Sequence, residues 1–269
     1  MFDYVQNEYN PEPRFTVAHP PATSGLVRYL PYSEAIVVDV PNTSEELAER
    51  QDARYWAEIR RRERRFTDAF GPLSVRGVTD PTELADLLPQ VQALYAERWS
   101  GEYTSLPWKR PAGFAPYADA LIDLASKGRG ELAVAEGDGR LLAFSYCLYE
   151  RPWAYMYQHA ATPQERYRRF GPGKLLLVDL LRRLVADGGF EHLDLMLGDA
   201  AYKREWESWR RDVHVAIHAP DTVIGRARLW TRTMAHQARS EVQFGHPWLR
   251  RGAKRALAGA ESLTNVVRR

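Results

Sequence analysis

The hexapeptide Arg168-Arg169-Phe170-Gly171-Pro172-Gly173 carries the residue types of a loop that holds a pyrophosphate. Two glycines let the main chain come close to a ligand. The leucine-rich segment that follows, residues 174–187, reads as a helix whose first N–H groups point at whatever sits there. Arginines just upstream offer charge-assisted bonds to phosphate oxygens. Pro172 has no N–H, so the donors fall to Gly171, Gly173, Lys174 and Leu175, and the proline presets φ for the first helical turn. The competing reading is a glycine-rich helix cap with solvated arginines.

Two common phosphate motifs do not fit. A P-loop needs a glycine five residues before the Gly-Lys pair and Ser or Thr after the lysine. Around Gly173-Lys174 those places hold Arg168 and Leu175. A Rossmann fingerprint needs a third glycine where Leu176 stands, and a doubly wound parallel setting. The segments before the loop read instead as an antiparallel meander, with strands over 131–136, 141–150 and 153–160. The turns Gly137-Asp138-Gly139 and Arg151-Pro152 join them. Helix 174–187 stops at Gly188-Gly189, and a strand follows over 192–197. Strand–helix–strand crossovers are parallel and right-handed. The expected fold class is therefore α+β: a mixed, mostly antiparallel sheet flanked by helices, with one parallel crossover.

Upstream, Leu84, Leu87, Leu88, Val91, Leu94 and Tyr95 recur at helical spacing within 82–99, and 114–127 reads as a further helix. Residues 73–78 read as a short strand. Ser44 with Glu45 and Glu46 starts a helix expected to run to about residue 70. In the proline-rich, polar stretch before it, 35–40 is the one convincing strand. Downstream, 213–218 reads as an edge strand and the rest as a basic helical tail. The expected division is an N-terminal appendage at 1–48, a core at 49–212 and a C-terminal part at 213–269.

With 269 residues, 45% hydrophobic and 27% charged, the chain suits one large domain or two small ones. No apolar run reaches the roughly 18 residues of a membrane span, and the first ten residues lack a signal-peptide core. The single cysteine, Cys147, lies in an apolar run and reads as a buried small hydrophobe. One cysteine cannot form an intrachain bridge, which fits a reducing cytoplasm. Net charge is +2, too balanced for a general nucleic-acid binder. The basic residues nevertheless cluster at 60–65, at 166–169 and in the tail at 250–269. No His, Cys or carboxylate set has metal-ligand spacing and no serine sits in a nucleophile elbow, so neither a metal nor a serine mechanism is expected.

The pattern Arg-x-x-Gly-x-Gly, filled by Arg168, Gly171 and Gly173 between meander and helix, resembles the acyl-coenzyme A loop of the GNAT acetyltransferase superfamily. The run from Phe170 to Leu176, then His192-Leu193-Asp194-Leu195, then Gly198-Asp199-Ala200-Ala201-Tyr202-Lys203, is similar to the CelD/BcsL-like branch, related to the Fem peptidyltransferases. That branch commonly has serine where Gly171 stands. The resemblance covers about 55–210. It offers 1–48 as a reduced first GNAT-like half.

The resemblance implies an acyl-CoA co-substrate, acetyl-CoA first among them, held by Arg166, Arg168, Arg169, Gly171, Gly173 and Lys174. Arg166 would lie toward the 3′-phosphate. The pantetheine arm would run between the third meander strand and the crossover strand, against the main chain near His159, Ala160 and Ala161. Tyr202 is the implied general acid for the departing thiolate, with a packed core tyrosine as the alternative. Asp199 and His159 compete for general base, and each also has a structural reading, as helix cap and as strand histidine. By period two, His159 would share a strand face with Tyr155 and Tyr157. Arg98, Trp99, Tyr103 and Trp108 fall where GNAT folds bind the acceptor, with core packing as the alternative for the aromatic residues, and Lys203 could neutralise an anionic acceptor or simply be a solvent-facing lysine.

The function implied is transfer of an acyl group from coenzyme A to an amine of a small molecule, sugar or peptide. A Fem-like enzyme using aminoacyl-tRNA, supported by the arginines at 60–65, is the less favoured alternative. A non-catalytic protein that binds coenzyme A, or a partner through its basic helices, is another, and a homodimer stays open.

Overall fold

The computed structural model describes residues 25–100, 107–197 and 200–244. Contacts group residues 35–210 into one compact unit, and residues 1–34 with 211–269 into another.

The elements follow in order: β1 (Gly25–Asp39), α1 (Ser44–Glu49), α2 (Ala53–Phe70), β2 (Ser74–Val78), α3 (Pro81–Arg98), α4 (Pro111–Ser126), β3 (Gly130–Gly137), β4 (Arg140–Glu150), β5 (Trp153–Ala161), α5 (Glu165–Arg168), α6 (Pro172–Asp187), β6 (His192–Leu197), α7 (Ala201–Arg204), β7 (Trp209–Pro220) and α8 (Val223–Phe244). The sheet order is β2-β3-β4-β5-β6-β1-β7. The β2–β3, β3–β4, β4–β5 and β1–β6 pairs are antiparallel, and β5–β6 is parallel. This is the α+β sheet with a single parallel crossover that the meander and glycine loop foretold.

Two local differences have clear causes. The helix expected from Ser44 to about residue 70 is two helices. Thr43 caps α1 by accepting the Glu46 N–H, and Asp52 starts α2 by accepting the Tyr55 N–H at 2.7 Å. The strand expected at 35–40 is the inner end of the longer β1. Residues 35–39, assigned above to an appendage, pair along β6, with Val37 opposite Asp194 and Asp39 opposite His192.

Strand alternation builds the two layers of the larger unit. In β3, Ala133 and Ala135 face one cluster while Leu132 and Val134 face the other. The small residues Ala133, Ala135, Ala143 and Ala154 make a shallow face on which α6 lies close. The bulky opposite face, with Phe144 and Tyr146, packs α3 and α4. Helix α6 is apolar nearly all round because the sheet lies beneath it and α1 contacts it as well; Leu180 and Leu181 are fully buried. Leu180→Ala is expected to leave a cavity at the centre of the crossover and lower unfolding stability by about 2–5 kcal/mol. Urea titration measures that loss, and a change below about 1 kcal/mol would contradict the packing described.

Candidate active site

Pairing between β5 and β6 ends early. It comprises Trp153–His192, Ala154–Leu193 and Tyr155–Asp194. Beyond those positions β5 continues on β4 as far as Ala161 opposite Ala143, and β6 continues on β1 as far as Leu197 opposite Ala35. Each strand keeps its outer neighbour, and the two part from one another.

The parting has a local cause in β6. Met196 takes φ 59°, a left-handed conformation that costs a non-glycine residue about 1 kcal/mol. The fully buried Asp194 holds it by accepting the Met196 N–H at 2.7 Å. Lys203, 2% exposed, donates its ammonium to the carbonyls of Leu195, Met196 and Leu197 at 2.6, 3.1 and 2.7 Å. An ammonium with three carbonyl acceptors is a satisfied buried group. Lys203 thus pins α7 to the bent end of β6 rather than facing an acceptor, as the sequence reading had it.

Tyr202, the next residue on α7, places its hydroxyl 2.6 Å from His159 Nε2 on β5. The pair bridges β5 to the turn after β6, joining positions 43 residues apart. Tyr202 also packs against the core cluster that contains Trp206, while Trp206 itself lies edge-on against Tyr55 and Trp56 and donates its indole N–H to Tyr55 Oη at 3.1 Å. Period two misplaced His159. Opposite β4, Met156 pairs with Cys147 and Gln158 with Tyr146, so β5 carries one extra residue. The bulge turns His159, opposite Ser145, to the α6 face, while Tyr157 packs with Tyr117 and Tyr146 on the other.

Burial, with the nearby charges of Lys203 and Arg98, pushes the His159 pKa down to about 3, and its Nδ1 is buried without a hydrogen-bond partner. Burial pushes the Tyr202 phenol up, so it stays protonated at neutral pH. Both members of the pair are neutral there. Either the phenol donates to Nε2 or the Nε2–H donates to the phenol oxygen, according to the imidazole tautomer.

The glycine loop lies against the end of β5. Gly171 has φ 65°, the left-handed region open to glycine, and caps α6. A Cβ on Gly173 would come within 3.2 Å of the Ala161 Cβ, so a side chain there would press the helix start and β5 apart by a few tenths of an ångström. The expected cradle of four N–H donors is largely committed to the loop itself. Gly171 donates to Arg168 O at 3.0 Å, and Lys174 and Leu175 donate to Gly171 O at 2.9 and 3.1 Å.

The loop arginines divide. Arg168 pairs with Glu165, and Arg166 turns to Tyr167 and Asp138. Arg169 lies over the Phe170 ring at 4.7 Å. Lys174 pairs with Glu205 at 2.8 Å over the Tyr55 ring. Two further arginines come from α2. Arg62 donates to Arg169 O at 3.2 Å, and Arg65 approaches the Phe170 ring at 6.0 Å. The run at 60–65 was visible in sequence, but which of its side chains meet the loop depends on how α2 packs.

Of the residues read in sequence as acceptor-binding, Arg98 stacks over Trp99 at 4.5 Å at the end of α3. Trp108 is 2% exposed and packs on Tyr95, Phe114 and Phe144, a core position rather than a pocket wall. Ala160 is buried opposite Phe144. Asp199 and Tyr103 lie outside the described residues. Among the described residues, no group of three or more His, Cys, Asp or Glu is placed to hold a metal ion, and no helix is long and apolar enough to cross a membrane.

A family model described as an acetyltransferase (GNAT) domain matches residues 53–204, and the chain belongs to this family. Among solved structures, FemX is similar over 71% of this chain and 62% of its own, at 12% identity and a TM-score of 0.50. L-PGS from Bacillus licheniformis is similar over 77% and 66% (14% identity, TM-score 0.48). A GNAT family acetyltransferase from Brucella melitensis in complex with acetyl-CoA is similar over 52% and 86% (16% identity, TM-score 0.36). The chain spans between 62% and 66% of the lengths of the first two. No curated protein matches it.

Lys203→Met strands three carbonyls at the bend of β6. It should lower stability by about 3 kcal/mol and loosen Tyr202. A denaturation midpoint equal to that of the parent would count against the anchor. His159 also predicts a pH effect. The unfolded chain binds a proton there near pH 6.5 and the folded chain only near 3, so the unfolded state holds more protons in between. Stability is full above about pH 6.5 and declines as pH falls toward 3. Thermal melts of the parent and His159→Asn should therefore diverge in that window, and parallel curves would refute the buried, neutral imidazole.

Proposed function

We propose that the protein is an acyl-CoA-dependent N-acyltransferase, with acetyl-CoA the first candidate donor. The acceptor would be an amine of a small molecule, sugar or peptide that attacks the thioester directly. One observation carries this reading: the Tyr202–His159 pair spans the gap between β5 and β6, while the glycine loop abuts the same end of β5 at Ala161.

In this reading the diphosphate lies at the entrance of α6, where Arg62, Arg65 and Arg169 supply positive charge to complement it. Glycine at 171 and 173 keeps that approach clear of side chains. The pantetheine arm enters where β5 loses its partner. The free strand edge near His159, Ala160 and Ala161 offers it amide hydrogen bonds.

The amine attacks the thioester carbonyl, the tetrahedral intermediate collapses with cleavage of the C–S bond, and the sulfur takes a proton from Tyr202; the new amide nitrogen sheds its extra proton to solvent, and solvent reprotonates the tyrosinate. The raised phenol pKa keeps that proton in place until the bond breaks. A thiolate forming in the same poorly solvated gap is itself more basic than in water, so the transfer is coupled to bond cleavage. His159 orients the phenol. An imidazole with a pKa near 3 is too weak a base to strip an ammonium, so the acceptor amine enters neutral or loses its proton to another group. Asp199, three residues after Met196 in sequence, is the remaining candidate for that role.

The test is calorimetric and kinetic. Coenzyme A and acetyl-CoA should raise the melting temperature, and deacylated tRNA should not. Tyr202→Phe should retain coenzyme A affinity within about twofold while slowing acyl transfer to an amine panel, or slow thioester hydrolysis, by about 10²–10³-fold. Stabilisation by tRNA alone, or a Tyr202→Phe enzyme as fast as the parent, would overturn the assignment.

A further inference from the structure

We infer that helix α8 docks on an anionic lipid bilayer surface. The helix carries an exposed apolar stripe. Val223 is 86% exposed, Trp230 63% and Met234 48%, and with Ala227 they recur at i, i+4, i+7 and i+11, one face of a helix. Ile224, 66% exposed, lies beside them, whereas Gly225 and Thr233 are buried on the opposite side. A soluble helix normally turns such residues inward.

Charge identifies the occupant. Exposed Arg226 and Arg228 border the face made by the stripe and Ile224 on its two sides, and exposed Arg232 lies farther round, beyond Arg228. From Val223 to Arg269 the sequence holds ten arginine and lysine residues against two glutamates, while the rest of the chain is net acidic. A basic flank beside an aliphatic and tryptophan stripe matches both layers of a membrane interface. The arginines meet lipid phosphates and the apolar side chains enter the acyl boundary, with the indole at the headgroup level.

Two other occupants fit less well. A nucleic acid would satisfy the arginines but leave Val223, Ile224 and Met234 against water or phosphate. A second copy of the helix would bring arginine flanks together. Its seam would also end within two heptads, because the next positions in the repeat are Gln237 and Glu241.

Sedimentation of the full chain with vesicles tests the inference, using phosphatidylcholine alone and phosphatidylcholine with about one third phosphatidylglycerol. Binding to the anionic vesicles should be at least about tenfold stronger and should weaken as salt is raised. The combined variant Ile224→Ser, Trp230→Ser, Met234→Ser should lose about tenfold in vesicle binding while keeping the parent's circular dichroism and melting temperature. Arg226→Gln, Arg228→Gln, Arg232→Gln should abolish the preference for anionic lipid. Equal binding to neutral vesicles would overturn the inference, as would vesicle binding unchanged in the serine variant. So would a dimer in light scattering, or tRNA binding, that the serine variant abolishes in a protein showing no vesicle binding.

Discussion

The larger unit depends on the separation of β5 from β6. A parallel pair of strands in the middle of a sheet would ordinarily stay hydrogen-bonded along its length, since unpaired backbone groups in an interior are costly. Here the separation is built in. Met196 bends β6 in a left-handed turn, Asp194 fastens the bend from within the strand, and Lys203 satisfies the carbonyls that the bend exposes. Strand β1 accepts the diverted end of β6, and β4 keeps the diverted end of β5.

The same anchor sets the electrostatics of the gap. By holding α7 against β6, Lys203 delivers Tyr202 to His159 and places its own positive charge near the imidazole. Burial and that charge keep the ring neutral, and burial keeps the phenol protonated. The pair is therefore suited to giving up one proton from oxygen rather than to removing one from an ammonium. At the other end of the opening, charge is supplied mostly from outside the glycine loop. Arg166 and Arg168 are held by their own acidic neighbours, and α2 contributes Arg62, itself paired with Glu58, and Arg65.

Much of this was legible along the chain, because local physics controls it. The meander turns, the helix that starts at Pro172 and stops at Gly188, and the glycine at 171 all follow from backbone preferences and hydrophobic period. Where the reading went astray, a non-local contact had intervened. The bulge in β5 inverted the face of His159, Trp108 was drawn into the aromatic core, and a lysine that looked solvent-facing became a buried anchor.

By itself the sequence determined the order of elements and the loop that starts α6, because turn chemistry and periodicity act over a few residues; the GNAT class came from the resemblance of that loop and its flanking motifs to the family. Only the tertiary structure decided that β5 and β6 separate after Tyr155, that Tyr202 meets His159, and that arginines of α2 reach the loop. Those outcomes depend on register, burial and long-range packing, in which the free energy of each group is set by partners remote in the chain.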